Sequence, residues 1–396
     1  MLQKFSQNKT NEEHTTMKPH KTFLAVCVST LLIIMFSSIT RVTALAQGSR
    51  AESSPLPPAT IAGTQSLSIT SSIVGQDFNL YVNLPRDYQD TTKSLPVIYL
   101  LDGQWDFPLL NAIFGEEYYD GFVPGVIVVG IAWGGKEPNY DFLRARDLSP
   151  THIDQVPQSG GAPKFLDFLK KELIPFVDSK YRTNKNDRTL VGSSFGGLFT
   201  LYALFHETEL FNRYILTSPA IGWDNQSIYS FEKEFAEKTS RPPVRVFMAV
   251  GGLEGDVDAF EKFVDHLKSK NYKGLEVSSR VLEGMGHSGG KAEGYTRGLQ
   301  AVFAKPSVKL DRAILEQYVG TYQVGPDIKV KVQVENNSLI AFGPDNSKIA
   351  MVAASDKEFY VNGTYLLVHF KTNEKGKVTG FQLEQYSGQQ FVEKID

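Results

Sequence analysis

Gly192-Ser193-Ser194-Phe195-Gly196, followed by Gly197, lies between the short strand-like run Arg188-Thr189-Leu190-Val191 and a segment of different period. In that second segment Leu198, Leu201, Tyr202 and Phe205 recur at helical spacing. A Gly-x-Ser-x-Gly pentapeptide between strand and helix holds its serine in strained backbone, so the residues two positions away must lack bulk. The hydroxyl then stands clear of the sheet at the positive end of the helix. The pattern predicts Ser194 as a nucleophile and an α/β fold around it. The competing reading is a glycine-rich turn that serves only close helix–sheet packing.

Outward from the pentapeptide, apolar strands alternate with helices. Strands are expected at Val97 to Leu101, Val126 to Ile131, Thr189 to Val191, Tyr214 to Leu216, Val244 to Val250 and Leu275 to Leu282. Helices are expected over Ala162 to Lys180 and Asp256 to Ser269, the latter with Phe260, Phe263, Val264 and Leu267 on one face. Such alternation implies a mostly parallel sheet covered on both sides. Leu67 to Ile73 and Phe78 to Leu84 read as an antiparallel hairpin in front of it. After Lys305-Pro306 the period changes to two, as in Ile328-Lys329-Val330-Lys331-Val332-Gln333-Val334. Further strands near 339–342, 359–361, 365–370 and 378–385, with turns at Asn362-Gly363 and Lys375-Gly376, make residues 308–396 a small antiparallel β domain, barrel-like in form. Residues 64–305 are the α/β domain.

The N-terminus reads as a targeting device. Lys18 and Lys21 precede an apolar run from Phe23 to Ile39, and Ala44-Leu45-Ala46 has the form of a cleavage site. Residues 1–46 are therefore expected to be a signal peptide, with Met17 as an alternative start, and 47–63 a linker containing Ser54-Pro55-Leu56-Pro57-Pro58. Export to the periplasm or medium follows, with no stable membrane insertion after cleavage. The runner-up is an anchor formed by an uncleaved leader. Cys27, the one cysteine, falls inside the apolar run, so the mature chain has no thiol or disulfide chemistry. A net charge of -3 over 396 residues, without a basic run, points away from nucleic acid.

A serine hydroxyl needs a base. Of seven histidines, His287 stands in the glycine loop Gly284-Met285-Gly286-His287-Ser288-Gly289-Gly290 after the last strand, where a base must reach the serine. His152 is upstream of the nucleophile, and His206, His266 and His369 belong to regular elements. The acid should follow the Val244 to Val250 strand, in the order serine, acid, histidine. Glu254 is the choice and Asp258 the alternative, while Asp256 is placed to cap the next helix. Backbone amides of Phe195 and Gln104 are expected to hold the oxyanion, with Asp102 bracing the Gln104 loop. The Gly284-x-Gly286-x-x-Gly289 match to a dinucleotide fingerprint lacks the acidic residue of a second strand, so no cofactor is implied, and no metal.

Leu100-Leu101-Asp102-Gly103, Arg144-Ala145-Arg146-Asp147-Leu148-Ser149-Pro150, Gly161 to Leu169, Glu172-Leu173-Ile174-Pro175, the pentapeptide and Ser218-Pro219-Ala220-Ile221-Gly222-Trp223 together resemble the esterase family that includes esterase D. Within it the likeness is to siderophore esterases acting on enterobactin, salmochelin and bacillibactin. The resemblance covers roughly residues 64 to 304. It implies an α/β-hydrolase fold and carries over Ser194 and His287, while some relatives look like Ser-His dyads. Position 193 holds serine where many relatives have histidine. Residues 308 to 396 are similar to a small β domain appended to serine hydrolases, recognisable at Glu316-Gln317-Tyr318-Val319-Gly320-Thr321-Tyr322. The expected activity is hydrolysis of a small-molecule carboxylic ester, with siderophore trilactones as the substrate implied. The alternatives are a carbohydrate-directed feruloyl or acetyl esterase and an inactive hydrolase-fold binding protein. For a ferric catecholate, Trp105, Trp133 and Trp223 would supply flat rings, and Arg144 and Arg146 cations. The competing reading pairs the arginines with Asp147 or neighbouring carboxylates.

Overall fold

The computed structural model describes residues 59–396 apart from 87, 90–91, 238–241 and 386–387. The expected signal peptide and most of the linker lie outside the described residues. Eight strands form one sheet: β1 (Thr64–Ser71), β2 (Gln76–Asn83), β3 (Leu95–Leu100), β4 (Ile127–Trp133), β5 (Thr183–Ser193), β6 (Arg213–Thr217), β7 (Val244–Gly251) and β8 (Leu275–Leu282). Their order is β1-β2-β4-β3-β5-β6-β7-β8. The pairs β1–β2 and β2–β4 are antiparallel and the others parallel. This is the α/β-hydrolase arrangement.

Parallel strands buried on both faces must be apolar on both. Ile98 and Leu100 accordingly face a layer with Phe107, Phe114 and Leu299, while Tyr99 and Leu190 face Phe165, Phe199 and Phe211. Each large side chain so buried is worth about 1.5–3 kcal/mol, and the hairpin shares in this through Phe78, Leu80 and Val82 of β2. The covering helices are α1 (Gly103–Tyr119), α2 (Tyr140–Leu148), α3 (Ala162–Phe168), α4 (Ile174–Lys180), α5 (Phe195–His206), α6 (Ile228–Ala236), α7 (Val257–Ser269) and α8 (Gly290–Val302). The helix expected over 162–180 is interrupted by a π-helical turn, Leu169–Leu173. Pro175 has no N–H for the carbonyl four residues earlier, and the wider turn accommodates that gap.

A second, closed barrel follows, in which β10 (Ile328–Glu335), β11 (Ser338–Phe342), β13 (Glu358–Val361), β14 (Leu366–Thr372) and β15 (Val378–Gln385) join three further strands in the order β10-β11-β12-β13-β14-β15-β16-β9. Three of its strands went unread in the sequence: β9 (Gly320–Gly325), β12 (Lys348–Ala353) and β16 (Gly388–Lys394). Glycines bound β9, alanines blur the alternation of β12, and in β16 only Val392 is buried. Rings fill the interior, with Tyr318 stacked on Phe370 at 4.1 Å and Phe381 edge-on to Phe370 at 5.6 Å. The barrel meets the α/β domain at the C-terminal end of α1. Tyr365 packs edge-on against Tyr118 at 5.5 Å. Lys305 donates to the Gly121 carbonyl and lies 5.4 Å from the Tyr360 ring. Because α1 begins at the carboxyl edge of the sheet and runs about 25 Å, this contact is at the end remote from Ser194.

Candidate active site

Ser194 caps α5 with φ 58 and ψ -117, a conformation that L-residues rarely hold. A Cβ on Gly192 would overlap the Gly196 carbonyl, which is the physical reason for the first glycine of the pentapeptide. The turn is pinned by backbone bonds. The Ser194 N–H donates to Thr217 O at 3.0 Å, and its carbonyl accepts from Leu198 at 2.9 Å and Ala220 at 3.2 Å. Phe195 is the first residue of α5, so its N–H has no acceptor within the helix.

His287 lies after β8 and its Nδ1 is 2.6 Å from Glu254 Oε2. A carboxylate at Nδ1 assigns the proton to that nitrogen and leaves Nε2 as the acceptor. The other oxygen, Oε1, accepts from Ser218 Oγ at 2.6 Å and from the Gly251 N–H at 2.7 Å. Burial pushes the Glu254 carboxyl up. The hydrogen bonds from Ser218, His287 and Gly251 outweigh that and leave it below the ordinary carboxylate value. Asp258 is exposed in the first turn of α7, and the structure brings Glu254 to the histidine instead. Asp256 does occupy the cap position of α7, but its side chain makes no cap hydrogen bond. The other described histidines lie beside different acids: His152 by Asp154, His206 by Glu234, His266 by Glu232 and His369 by Glu358.

The loop after β3 turns at Asp102, φ 55, and Gln104 is the second residue of α1, with an amide free of intrahelical acceptors. The Asp102 side chain, 2% exposed, accepts from Arg144 Nε at 2.6 Å and Nη2 at 3.0 Å. Burial lifts its carboxyl above the ordinary value, and Arg144 offsets only part of that. Asp102 thus clamps α2 to the Gln104 loop.

The rings and cations expected to meet substrate divide into two groups. Trp105 is 45% exposed and edge-on to Tyr140 at 5.6 Å, with the Arg144 guanidinium 5.4 Å from its ring and 5.8 Å from that of Phe195. Trp223 packs edge-on to Phe195 at 5.2 Å and donates to Thr151 Oγ1 at 3.0 Å. Arg144 and Trp223 thus gather about Phe195, the residue that follows Ser194, with Trp105 beside Arg144. Trp133 is not among them. It is 3% exposed, and its indole N–H donates to Asp147 Oδ2 at 2.7 Å, because β4 is buried along its whole length. Arg146 holds the same Asp147 at 2.7 and 2.8 Å. Both arginines expected as cations for a ligand are therefore paired with carboxylates, as the competing reading had it.

Sequence reasoning did not single out Ser218. Its position directly after a strand, before a proline, was the available signal, and it sits at φ 45 with its hydroxyl on Glu254. It also missed Asp106, Lys291 and Tyr295, whose side chains meet beside the site. Among the described residues no helix is long and apolar enough to cross a membrane.

Comparison with known proteins gives a consistent picture. Residues 71–285 match the family described as "Putative esterase". Residues 304–394 match one described as "Domain of unknown function (DUF3471)". The chain is 29% identical over 256 residues to the ferri-bacillibactin esterase BesA of Bacillus subtilis, covering 58% of this chain and 85% of that protein. It is 32% identical over 169 residues to the siderophore triacetylfusarinine C esterase of Aspergillus fumigatus, covering 41% of this chain and 58% of that one. The solved structure of an IroE-like serine hydrolase from Shewanella oneidensis superposes with a TM-score of 0.55 at 27% identity, covering 62% of this chain and 81% of the other.

Proposed function

This chain belongs to the "Putative esterase" family, and on that premise we propose that it is a serine carboxylic ester hydrolase working through an acyl-enzyme. The observation that carries the reading is the strained Ser194 at the strand–helix junction, on the same sheet edge as the His287–Glu254 pair. Ser194 Oγ attacks the ester carbonyl while His287 Nε2 takes its proton. The oxyanion is held by the amides of Phe195 and Gln104, both unused by their own helices. Collapse expels the alcohol with the proton from His287, and water then attacks the acyl-enzyme with His287 again as base. Glu254 keeps the imidazole in one tautomer and steadies its charged form. A fluorophosphonate should label Ser194, as read by mass spectrometry. An adduct on Ser193, or none on the folded protein, would remove the reading, the latter in favour of a binding protein.

For substrate, we propose a carboxylic ester that carries aromatic groups, with siderophore trilactones as the leading class. Relatedness to two siderophore esterases supports this, as do the rings of Trp105, Tyr140, Phe195 and Trp223, grouped around Arg144 and Phe195. A second reading, an aromatic ester of a sugar, draws its support from Arg144 and Arg146, which are each engaged by a carboxylate rather than open to an anionic ligand. The ratio of kcat/KM for an iron-loaded catechol trilactone to that for a feruloyl sugar ester separates them. A tenfold preference for the sugar ester would discard the siderophore assignment. Export is part of the proposal: the mature protein should begin at Gln47, which N-terminal sequencing tests.

A further inference from the structure

We propose that Asp106 is a positioning residue for this reaction, tying the helix that follows His287 to the helix that carries Gln104. The inference rests on the serine-hydrolase reading and concerns how its parts are held in register. Asp106 lies in the first turn of α1, two residues after Gln104, and its own N–H donates to Asp102 O at 3.0 Å. Its carboxylate, 5% exposed, accepts from Lys291 Nζ at 2.8 and 3.1 Å and from the Tyr295 hydroxyl at 2.7 Å. Lys291 is four residues beyond His287, and Lys291 and Tyr295 are one helical turn apart on the same face of α8. Burial and the Asp106 charge push the Tyr295 phenol well above its ordinary value, so it stays a donor.

The third side of the arrangement is the nucleophile turn. Gly294, between the two donors, lies so close to β6 that a Cβ there would overlap the Thr217 methyl. Thr217 is the residue whose carbonyl accepts the Ser194 N–H. One helix face therefore touches the strand end that holds Ser194 and the helix that presents Gln104, and it leads directly from His287. The base itself needs such an anchor. The His287 side chain is half exposed, and the backbone of its loop is bonded to the acid loop through Gly252 N–H to Leu282 O at 2.8 Å and Leu253 N–H to Met285 O at 2.9 Å. Those bonds fix base to acid. Asp106 fixes base to nucleophile and oxyanion donor.

The test uses the full chain, a short p-nitrophenyl ester, and the variants Lys291→Met, Asp106→Asn and both together. Each single change is expected to lower kcat about 10- to 100-fold, the order of a displacement near 1 Å in a catalytic group, with KM within about threefold. The double variant removes both charges and so leaves no lone buried ion. It should recover the parent's Tm yet keep the lowered kcat, at a level no worse than the poorer single. Fluorophosphonate stoichiometry is to stay near one per chain while the labelling rate falls, because folded sites are present but misaligned. Recovery of turnover together with Tm in the double variant would overturn the proposal, since Asp106 would then serve only to neutralise Lys291. So would lowered stoichiometry with an unchanged rate per labelled site. Ser194→Ala runs alongside: if it still turns over the ester, the hydrolase reading has failed, and if it is inert while the other variants match the parent, only the positioning role has.

Discussion

The carboxyl edge of the sheet and the β-barrel both contain residues with left-handed backbone, and the residue types differ. In the barrel the described non-glycine cases are Asn336, Asn337 and Asn346, all in turns. Asparagine tolerates that conformation, so these turns cost little. At the carboxyl edge they are Asp102 after β3, Glu137 after β4, Ser194 after β5, and Ser218, Asp224, Asn225 and Gln226 after β6. Glutamate, glutamine and serine are poorer choices there, at about 1–3 kcal/mol each in unfavourable cases. At Asp102, Ser194 and Ser218 the strained residue also carries a side chain that the site uses, on Arg144, as the expected nucleophile and on Glu254. In the barrel nothing but the turn is needed.

The first way to break that contrast is at the nucleophile. Ser194→Ala should lower kcat by about 10⁴- to 10⁶-fold, measured on a p-nitrophenyl ester. Ser193→Ala, one residue away with its hydroxyl buried and without a partner among the described residues, should stay within about tenfold. A comparable loss from both would mean that the turn matters and the hydroxyl does not.

Glu254→Gln comes next, with a loss of up to about 10⁴-fold in kcat, the size seen when a triad base takes the wrong tautomer. A loss under tenfold would make the centre a dyad. The same variant has a pH signature. The Glu254 carboxyl lies below its ordinary value in the folded chain, so its contribution to stability is complete above the unfolded carboxylate range and disappears as pH falls through the lowered folded value. Stability of Glu254→Gln should accordingly decline less steeply in acid than that of the parent, by Tm across that window.

Much of this was legible because the signals are local. The pentapeptide, the glycine loop around His287 and the acid after β7 are each a short run with its own backbone demand, and the strand order places them on one edge. Asp106, Lys291 and Tyr295 were not legible, since an ion pair spanning 185 residues leaves no spacing to read. Trp133 misled for a related reason. Position near a strand's carboxyl end does not by itself mean nearness to the site, since Trp133 is the last residue of β4 and its indole donates to the Asp147 side chain. Of the three unread barrel strands, β9 is bounded by glycines, β12 is blurred by alanines and β16 buries only Val392, so their partners, not their own composition, make them strands.

The barrel's contact with α1 predicts a smaller and different effect. Tyr365→Ala removes the ring packed on Tyr118 and should cost about 1–3 kcal/mol of stability, seen as a lowered Tm. Because that contact is at the far end of α1, kcat and KM should stay within about twofold of the parent. A fall in kcat at unchanged fluorophosphonate stoichiometry would mean that the barrel reaches the site through α1 after all.

The finest test compares the same pair of substitutions in both regions. Ser218 has φ 45 and Asn337 φ 58, and at each position glycine should be more stable than alanine by roughly 1 kcal/mol, since only glycine accepts a left-handed φ freely. That part of the outcome is backbone alone and should be equal in the two places. The functional part should not be. Ser218→Ala and Ser218→Gly both delete the hydroxyl that Glu254 Oε1 accepts from, so both should lower kcat, by about tenfold, the value of a hydrogen bond to a charged group. Neither Asn337 variant should change kcat. If Ser218→Gly restores turnover that Ser218→Ala loses, the backbone conformation and not the hydroxyl is what the site needs from residue 218. The strain at the carboxyl edge would then be shape rather than chemistry, and the difference between the two regions would reduce to residue choice.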